Sequence, residues 1–349
     1  MTTLKKNRGN RLTACRLMVA GLIGLLLSFS GSAVGQRSKR YPLHEPHSRI
    51  LGADISFLPQ LEARGKKFFD HGIPMDAIAI LKKYKFNYIR LRIFNDPQAP
   101  GGYSAQGYCD LANTEKMAKR IKDAHMKFLL DFHYSDFWAD PGKQFKPSAW
   151  KGLDFTQLTQ AVTRYTEKVL RALKAQGTLP DMVQIGNEIN HGMIWPEGKF
   201  SHPDSLAALL RAGIAGVKAV DPRIIIMLHI ACGGQNAESR NFLDNMISRG
   251  VHFDVIGESY YPRWHGTLAQ LKSNLTDLAG RYRQKIIVVE YTQFKQEVND
   301  IVFNLPHHKG MGTFIWEPLN YGEPLFDTSG HTDSLINIYP GLAKTYHIR

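Results

Sequence analysis

The chain has 349 residues, of which 43% are hydrophobic and 21% are charged, a composition typical of a globular protein and not of a disordered one. Its formal net charge is +13 at pH 7, but the lysines and arginines are scattered through predicted helices and no nucleic-acid motif accompanies them, so no nucleic-acid partner is expected. The positive charge indicates solubility and a weak attraction to acidic polymers instead.

The first 36 residues have the three parts of a secretory signal peptide. Residues 1–16 carry five basic residues and no acidic one, residues 17–29 are apolar, and residues 31–35 are small. We therefore predict a signal peptide at residues 1–36, followed by a leader at 37–49 and one domain at 50–349, located outside the cell or in the periplasm. The apolar segment is too short to predict a stable membrane span, and an uncleaved anchor is the alternative.

Along the rest of the chain, apolar runs of strand length alternate with amphipathic helical segments. The predicted strands are residues 50–55, 88–93, 127–132, 182–186, 224–228, 253–256, 286–289 and 312–316, and the predicted helices cover about residues 74–84, 114–125, 155–175, 204–220, 239–248, 268–282 and 294–304. This order and size predict a single-domain α/β fold, the (β/α)8 TIM barrel. An open doubly wound sheet is the alternative, but Gly52-Ala53-Asp54 is not the glycine-rich phosphate loop that such a sheet would need.

Two glutamates stand where buried strands end. Glu188 follows the apolar run that begins at Met182, and Glu290 follows four consecutive β-branched residues, Ile286–Val289. Because the C-terminal ends of barrel strands form the active-site rim, both side chains are expected to face one cleft. Cleavage of a glycosidic bond needs two carboxyl groups, one to protonate the leaving oxygen and one to attack or to activate water. A solvated glutamate just past a strand is the alternative for either residue.

Further polar and aromatic residues gather at the same predicted strand ends. Sugar rings stack on aromatic side chains while their hydroxyl groups need polar partners, so this mixture favours a polysaccharide substrate. The candidates for substrate binding are Asp54, Arg92, His133, Asp136, Trp138, Asn187, Tyr260, Tyr261 and Trp316.

Metal-dependent and serine-dependent hydrolysis are the competing interpretations. His133, His191, His229 and His265 could ligate a metal, but the His-x-His pattern expected at the first strand of a metal-dependent barrel is missing, so neither a metal nor another cofactor is expected. No G-x-S-x-G motif is present for a serine nucleophile. After signal cleavage only Cys109 and Cys232 remain, and they could form a disulfide or stay as two thiols.

Segments 52–56, 91–97, 130–136, 138–144 and 183–195 resemble glycoside hydrolase family 53, a clan A family of endo-β-1,4-galactanases that act on pectic galactan and type I arabinogalactan. The resemblance implies a retaining hydrolase with Glu188 as acid/base and Glu290 as nucleophile. It also implies that Asn187 holds the substrate near its 2-hydroxyl group. Arg92 and a tyrosine of the segment 259–262 are expected beside the nucleophile.

The chain departs from the family pattern at three places. Residues 230–234 read Ile-Ala-Cys-Gly-Gly where an acidic residue and glycine are usual, Glu258 replaces an apolar residue, and only about twenty residues separate Glu290 from the eighth strand. The calcium of some relatives belongs to that last region and is not expected here. Two alternatives remain open: a clan A hydrolase of mannan, xylan or glucan, and a saccharide-binding protein that has lost activity.

Overall fold

The computed structural model describes residues 49–348 and contains a closed barrel of eight parallel strands. These are β1 (Ile50–Asp54), β2 (Tyr88–Ile93), β3 (Lys127–Phe132), β4 (Met182–Ile185), β5 (Ile225–Ile230), β6 (Val255–Tyr260), β7 (Lys285–Tyr291) and β8 (Gly310–Trp316). Each strand pairs with its neighbours in chain order, and β1 pairs with both β2 and β8, which closes the ring. The predicted TIM barrel is confirmed.

Helices follow the strands and cover the outside of the barrel. They are α1 (Leu58–Ala63), α2 (Ala77–Lys83), α3 (Leu111–Asp123), α4 (Phe155–Ala175), α5 (Pro203–Val220), α6 (Asn236–Ser248), α7 (Pro262–His265), α8 (Leu268–Arg281), α9 (Lys295–Phe303) and α10 (Ile338–Thr345). Side-chain caps fix several starts: Asp154 accepts from the backbone of Gln157 and forms a capping box at α4, and Asp110 accepts from Asn113 at α3, which satisfies backbone N–H groups that the first turn leaves free.

Two apolar layers result from the alternation of side chains along each strand. One fills the barrel interior and includes Tyr88, Met182, Met227 and Phe314, while the other lies between the strands and the helices. Because the interior is packed below the rim, a ligand can enter only at the ends of the strands.

The strands of the second half extend further than predicted. β5, β6 and β7 continue through polar or aromatic residues to Ile230, Tyr260 and Tyr291, whereas the apolar runs end earlier. Polar residues interrupt the hydrophobic pattern here: Glu290 faces the site, whereas Glu258 faces the helices and bonds to Ser239 on α6.

The predicted signal peptide, residues 1–36, lies outside the described residues. Within residues 49–348, none of the helices combines the length and the apolar character that crossing a membrane requires.

Candidate active site

A cavity of about 840 Å³ opens at the C-terminal ends of the strands. Carboxylates, an amide and aromatic rings line it together, as a saccharide site requires. The lining residues include Trp138, Asn187, Glu188, Tyr261, Trp264, Glu290, Trp316 and Tyr321. Both predicted catalytic glutamates therefore face one cavity.

Glu290, the next-to-last residue of β7, accepts hydrogen bonds from two donors. Arg90 Nη1 donates to its Oε1 at 2.8 Å, and the Tyr261 hydroxyl donates to its Oε2 at 3.0 Å. Burial raises the pKa of this carboxyl group, and the Arg90 cation opposes the rise. Both oxygens of Glu290 therefore accept hydrogen bonds that favour the ionised form.

Arg90 lies at the centre of the site and is almost fully buried. Its guanidinium also donates to Asp54 and Asp131, each at 2.9 Å, and to Asn187 Oδ1 at 2.9 Å. The register of the barrel explains this convergence, because Asp54 on β1 stands level with Arg90 on β2. A planar guanidinium with several fixed donors locks the relative positions of these side chains.

Glu188 follows β4 in a left-handed backbone conformation, with φ 49° and ψ 53°. A residue other than glycine adopts this region at a cost of roughly 1 kcal/mol, and such a conformation often marks a functional position. Its Oε1 accepts a hydrogen bond of 2.7 Å from the Ser259 hydroxyl. Burial, and secondly the nearby charge of Glu290, raise the pKa of Glu188 to about 8.

The prediction that Arg92 lies beside the nucleophile is wrong, since Arg90 occupies that place. Arg92 Nη1 donates to Glu317 at 2.6 Å, and its guanidinium lies 4.4 Å from the ring centre of Phe57 and 4.3 Å from that of Trp138. The rings of Phe57 and Trp138 contact each other edge to face, and their contacts with Arg92 direct it away from Glu290 and make it a support for Trp138.

Asn187 and Asp54 differ in their access to the cavity. Asn187 lines it, with its Nδ2 donating to Ala139 O at 2.9 Å. Asp54 is fully buried and bonded to Arg90 and Ser56. The structure therefore gives Asp54 a role in holding Arg90 and leaves it no contact with the cavity.

Three other predicted substrate-binding residues also lie off the cavity. His133 is buried, accepts from Ala139 N at 3.1 Å and lies 3.1 Å from Asp131. Asp136 accepts from the backbone N–H groups of residues 96 and 148 and so ties two loops together. Tyr260 is 1% exposed and donates to Gly266 O, because alternation turns it outward while Tyr261 faces the site.

The four histidines considered as metal ligands have separate partners. Among residues 49–348 no group of three or more histidine, cysteine, aspartate or glutamate side chains is arranged to hold a metal ion. Cys109 and Cys232 are both buried and free, so the two-thiol alternative holds in this structure.

Glu258 and the Ile230–Gly234 segment, two of the three departures from the family pattern, contact each other. Glu258 Oε2 accepts from Cys232 N at 3.1 Å, and its Oε1 accepts from Ser239 on α6 at 2.9 Å. Gly233 N donates to Ser259 O at 3.1 Å, and a Cβ atom at Gly234 would lie 1.9 Å from His265 O. The turn after β5 therefore packs closely on β6 through a buried carboxyl group and small residues.

Neither Ser259 nor Trp264 is among the predicted substrate-binding residues. Trp264 lines the cavity with 63% of its surface exposed, and an exposed tryptophan is unusual enough in a soluble protein to mark a binding surface. Its position just after Tyr260-Tyr261-Pro262, at the end of a barrel strand, was the sequence feature that could have placed it at the site.

Comparisons with known proteins agree with this geometry. The family model described as "Glycosyl hydrolase family 53" matches residues 50–300. An "Uncharacterized protein in bgaB 5'region" of Niallia circulans is 43% identical over 311 residues, which cover 77% of this chain and 83% of that protein. The "Arabinogalactan endo-beta-1,4-galactanase A" of Aspergillus niger is 32% identical over 303 residues, covering 76% of this chain and 84% of that enzyme.

A solved structure supports the same assignment. The GH53 catalytic domain of Ignisphaera aggregans superposes with a TM-score of 0.79 at 33% identity, over 85% of this chain and 97% of that domain. The family match spans Arg90 on β2, Glu188 after β4 and Glu290 on β7. This chain is a glycoside hydrolase and belongs to glycosyl hydrolase family 53.

Proposed function

We propose that this enzyme cleaves β-1,4-galactosidic bonds within pectic galactan and type I arabinogalactan, with retention of configuration at the anomeric carbon. The observation that carries the proposal is the pair of glutamates that face one cavity in unlike surroundings. Glu290 accepts from a cation and a phenol, whereas Glu188 accepts from a neutral hydroxyl.

These surroundings decide where a single proton resides. Arg90 and Tyr261 favour the ionised form of Glu290. Burial, together with the negative charge of Glu290, raises the pKa of Glu188 to about 8. Glu188 is therefore protonated near neutral pH and acts as general acid, while Glu290 is the nucleophile.

The reaction follows in two displacements. Glu188 donates its proton to the glycosidic oxygen as Glu290 Oε attacks the anomeric carbon, which breaks the bond to the leaving sugar and forms a glycosyl ester. The ester carries no charge, so the pKa of Glu188 falls and its carboxylate then removes a proton from the incoming water. Water attacks the anomeric carbon and releases Glu290.

The substrate assignment rests on the relatives and on the lining of the cleft. The Aspergillus niger relative is named for arabinogalactan, and Trp138, Trp264 and Trp316 offer apolar ring faces for sugar stacking. Only residues 292–294 connect β7 to α9, so we expect few distant subsites on this side of the cleft.

We further propose that the enzyme acts outside the cytoplasm, in a secreted or periplasmic form. The support is the signal-peptide pattern of residues 1–36. N-terminal sequencing of the protein exported by its host tests this, because a chain that retains residue 1 and stays in the cytoplasm would contradict it.

A screen of the purified enzyme on galactan, arabinogalactan, mannan, xylan and glucan tests the substrate. Preference for galactan is expected, and cleavage of another polymer alone would reject the assignment. NMR of the first-formed product should show the β-anomer, since an early α-anomer would mean inversion.

Two substitutions test the roles. Glu188→Gln should abolish cleavage of polymer but spare aryl glycosides whose leaving group needs no protonation, whereas Glu290→Ala should abolish both. Equal losses on both substrates in the Glu188 variant would rule out its role as acid.

A further inference from the structure

Ser259 is a buried residue on β6 whose hydroxyl lies between two site residues. Its Oγ is 2.7 Å from Glu188 Oε1 and 2.8 Å from His229 Nε2. The side chain is fully buried, so no bulk water replaces either contact. Within residues 49–348, Glu188 Oε2 has no hydrogen-bond partner, and Glu188 lines the cavity.

The direction of these hydrogen bonds depends on the proton of His229. Burial and the Arg90 charge hold the pKa of His229 well below its usual value, so the ring is neutral. Its Nδ1 faces the backbone N–H of Glu188 at 3.4 Å and the Gln184 amide nitrogen at 3.1 Å. Asn187 Oδ1, 3.0 Å from the same nitrogen, accepts from Arg90.

The Glu188 N–H is directed at Nδ1, and the Gln184 amide nitrogen beside it cannot accept a hydrogen bond, so Nδ1 is the acceptor and the ring proton lies on Nε2. Nε2 then donates to Ser259 Oγ, and the serine hydroxyl is free to donate to Glu188 Oε1. The His229 ring therefore fixes the direction in which the Ser259 hydroxyl donates its hydrogen bond, towards Glu188.

We propose that Ser259 is a positioning residue that holds Glu188 by Oε1, so that Oε2 is the oxygen that delivers the proton to the leaving group and later removes one from water. This rests on the proposed function, because it assigns an atom within the acid/base step. The hydroxyl serves both displacements: it fixes the orientation of the acid, and it stabilises the carboxylate that acts as base.

The groups that face Glu188 predict the direction of a pH effect. These groups are Glu290 on β7 and Asp140 after β3, which favour the protonated acid, and Arg90 on β2 and Ser259 on β6, which favour the carboxylate. His229 on β5 is neutral. Removing the serine hydroxyl takes away one of the two contacts that favour the carboxylate, so the basic limb of the pH–rate profile should move to higher pH.

The experiment compares Ser259→Ala, Ser259→Thr and, as a matched control, Ser239→Ala. The control removes a buried hydroxyl of α6 that donates to Glu258 on the outer side of β6. Each is assayed on galactan and on an aryl β-galactoside from pH 5 to 10. Ser259→Ala should lose about 10- to 100-fold in kcat on galactan, the loss typical of one hydrogen bond to a charged group, with KM nearly unchanged and the basic limb raised. Ser259→Thr should recover most of the rate and the original limb.

Three results would overturn the proposal: a Ser259→Ala enzyme with wild-type kcat, a basic limb that stays or moves to lower pH, or an equal loss in the Ser239 control. A Ser259→Ala enzyme with impaired kcat and an unfolding temperature close to that of the Ser239 control supports it. The wild-type enzyme tells the two proposals apart. If the wild type does not cleave galactan, the proposed function fails; if it does, the Ser259 variants test the positioning role alone.

Discussion

Glu258 should make the stability of this enzyme fall as pH rises through the neutral range. The side chain is 0% exposed and, within residues 49–348, accepts from Ser239, the backbone of Cys232 and, at 3.4 Å, Asn274. No cation is paired with it among the described residues. Burial raises the pKa of Glu258 from its ordinary value of 4.5 to about 8, because a carboxylate in this position would lose its hydration without gaining a counter-charge.

The size of this change in the free energy of unfolding follows from the difference between the pKa of Glu258 in the folded and in the unfolded chain. Between pH 4.5 and about 8 the folded chain holds a proton that the unfolded chain has released, so the free energy of unfolding decreases with pH across this window. The stabilising contribution is complete below pH 4.5 and lost above about 8. At 1.36 kcal/mol per pKa unit, the full change is about 5 kcal/mol.

Urea unfolding of the wild type, Glu258→Gln and Glu258→Leu at several pH values from 4.5 to 9 measures this directly. Glutamine cannot ionise and keeps a polar group, so its stability relative to wild type should rise by about 5 kcal/mol from the acid to the alkaline end. Leucine should give the same slope from a lower starting value, since the Cys232 N–H loses its acceptor. The other buried acids contribute equally to the variants and the wild type, so their contributions cancel when the free energies of unfolding are subtracted. A difference between variant and wild type that does not vary with pH would refute the role of Glu258.

Three further predictions concern activity. Arg90→Lys should reduce kcat by about two orders of magnitude and destabilise the fold by about 3 kcal/mol, because an ammonium group cannot reproduce the guanidinium contacts and leaves buried carboxylates unpaired. Steady-state kinetics and urea unfolding measure the two effects, and a variant with near-native kcat and stability would contradict this prediction. The basic limb of kcat/KM should lie near pH 8 through Glu188, and a limb below pH 6 would exclude it as the acid. Trp264→Ala should raise KM for galactan about fivefold with little change in kcat, as the loss of one stacking contact of about 1 kcal/mol implies; an unchanged KM would show that no sugar stacks there.

The architecture could be predicted because parallel barrel strands are buried on both faces and read as continuous apolar runs. Each of the eight strands was found, and the two glutamates at the ends of β4 and β7 were placed correctly in one cavity. These features depend on local sequence: an apolar segment followed at once by a carboxylate.

Which of Arg90 and Arg92 lies beside Glu290 could not be predicted from local sequence. Both point into the barrel because they are two residues apart, so alternation does not distinguish them. The decision depends on residues far away in sequence: Phe57 and Trp138 both contact the Arg92 guanidinium, whereas Arg90 donates to Glu290. Only the three-dimensional packing contains that information.

Glu258 shows a second limit of sequence reasoning. Its neighbours Gly257 and Ser259 face inward, which places Glu258 between β6 and the helices, where an unpaired acid is not expected. Its partners Ser239 and Asn274 lie on α6 and α8. The acid and the unusual turn at Cys232 are one adaptation, which becomes visible only when the two segments are seen in contact.

Arg90 also determines the electrostatic character of the cavity floor. It supplies one positive charge to three carboxylates, Asp54, Asp131 and Glu290. Arg92 also lies 3.7 Å from Asp54 but pairs more closely with Glu317, so four carboxyl groups share two cations and the floor beneath the cleaved bond has a negative character. The sugar ring develops positive charge as its glycosidic bond breaks, and this field stabilises that charge more than it stabilises the neutral ground state. The same field should repel a uronic acid from the position where the bond breaks, so the enzyme would bind amine analogues of galactose tightly and leave the acidic backbone of pectin uncut.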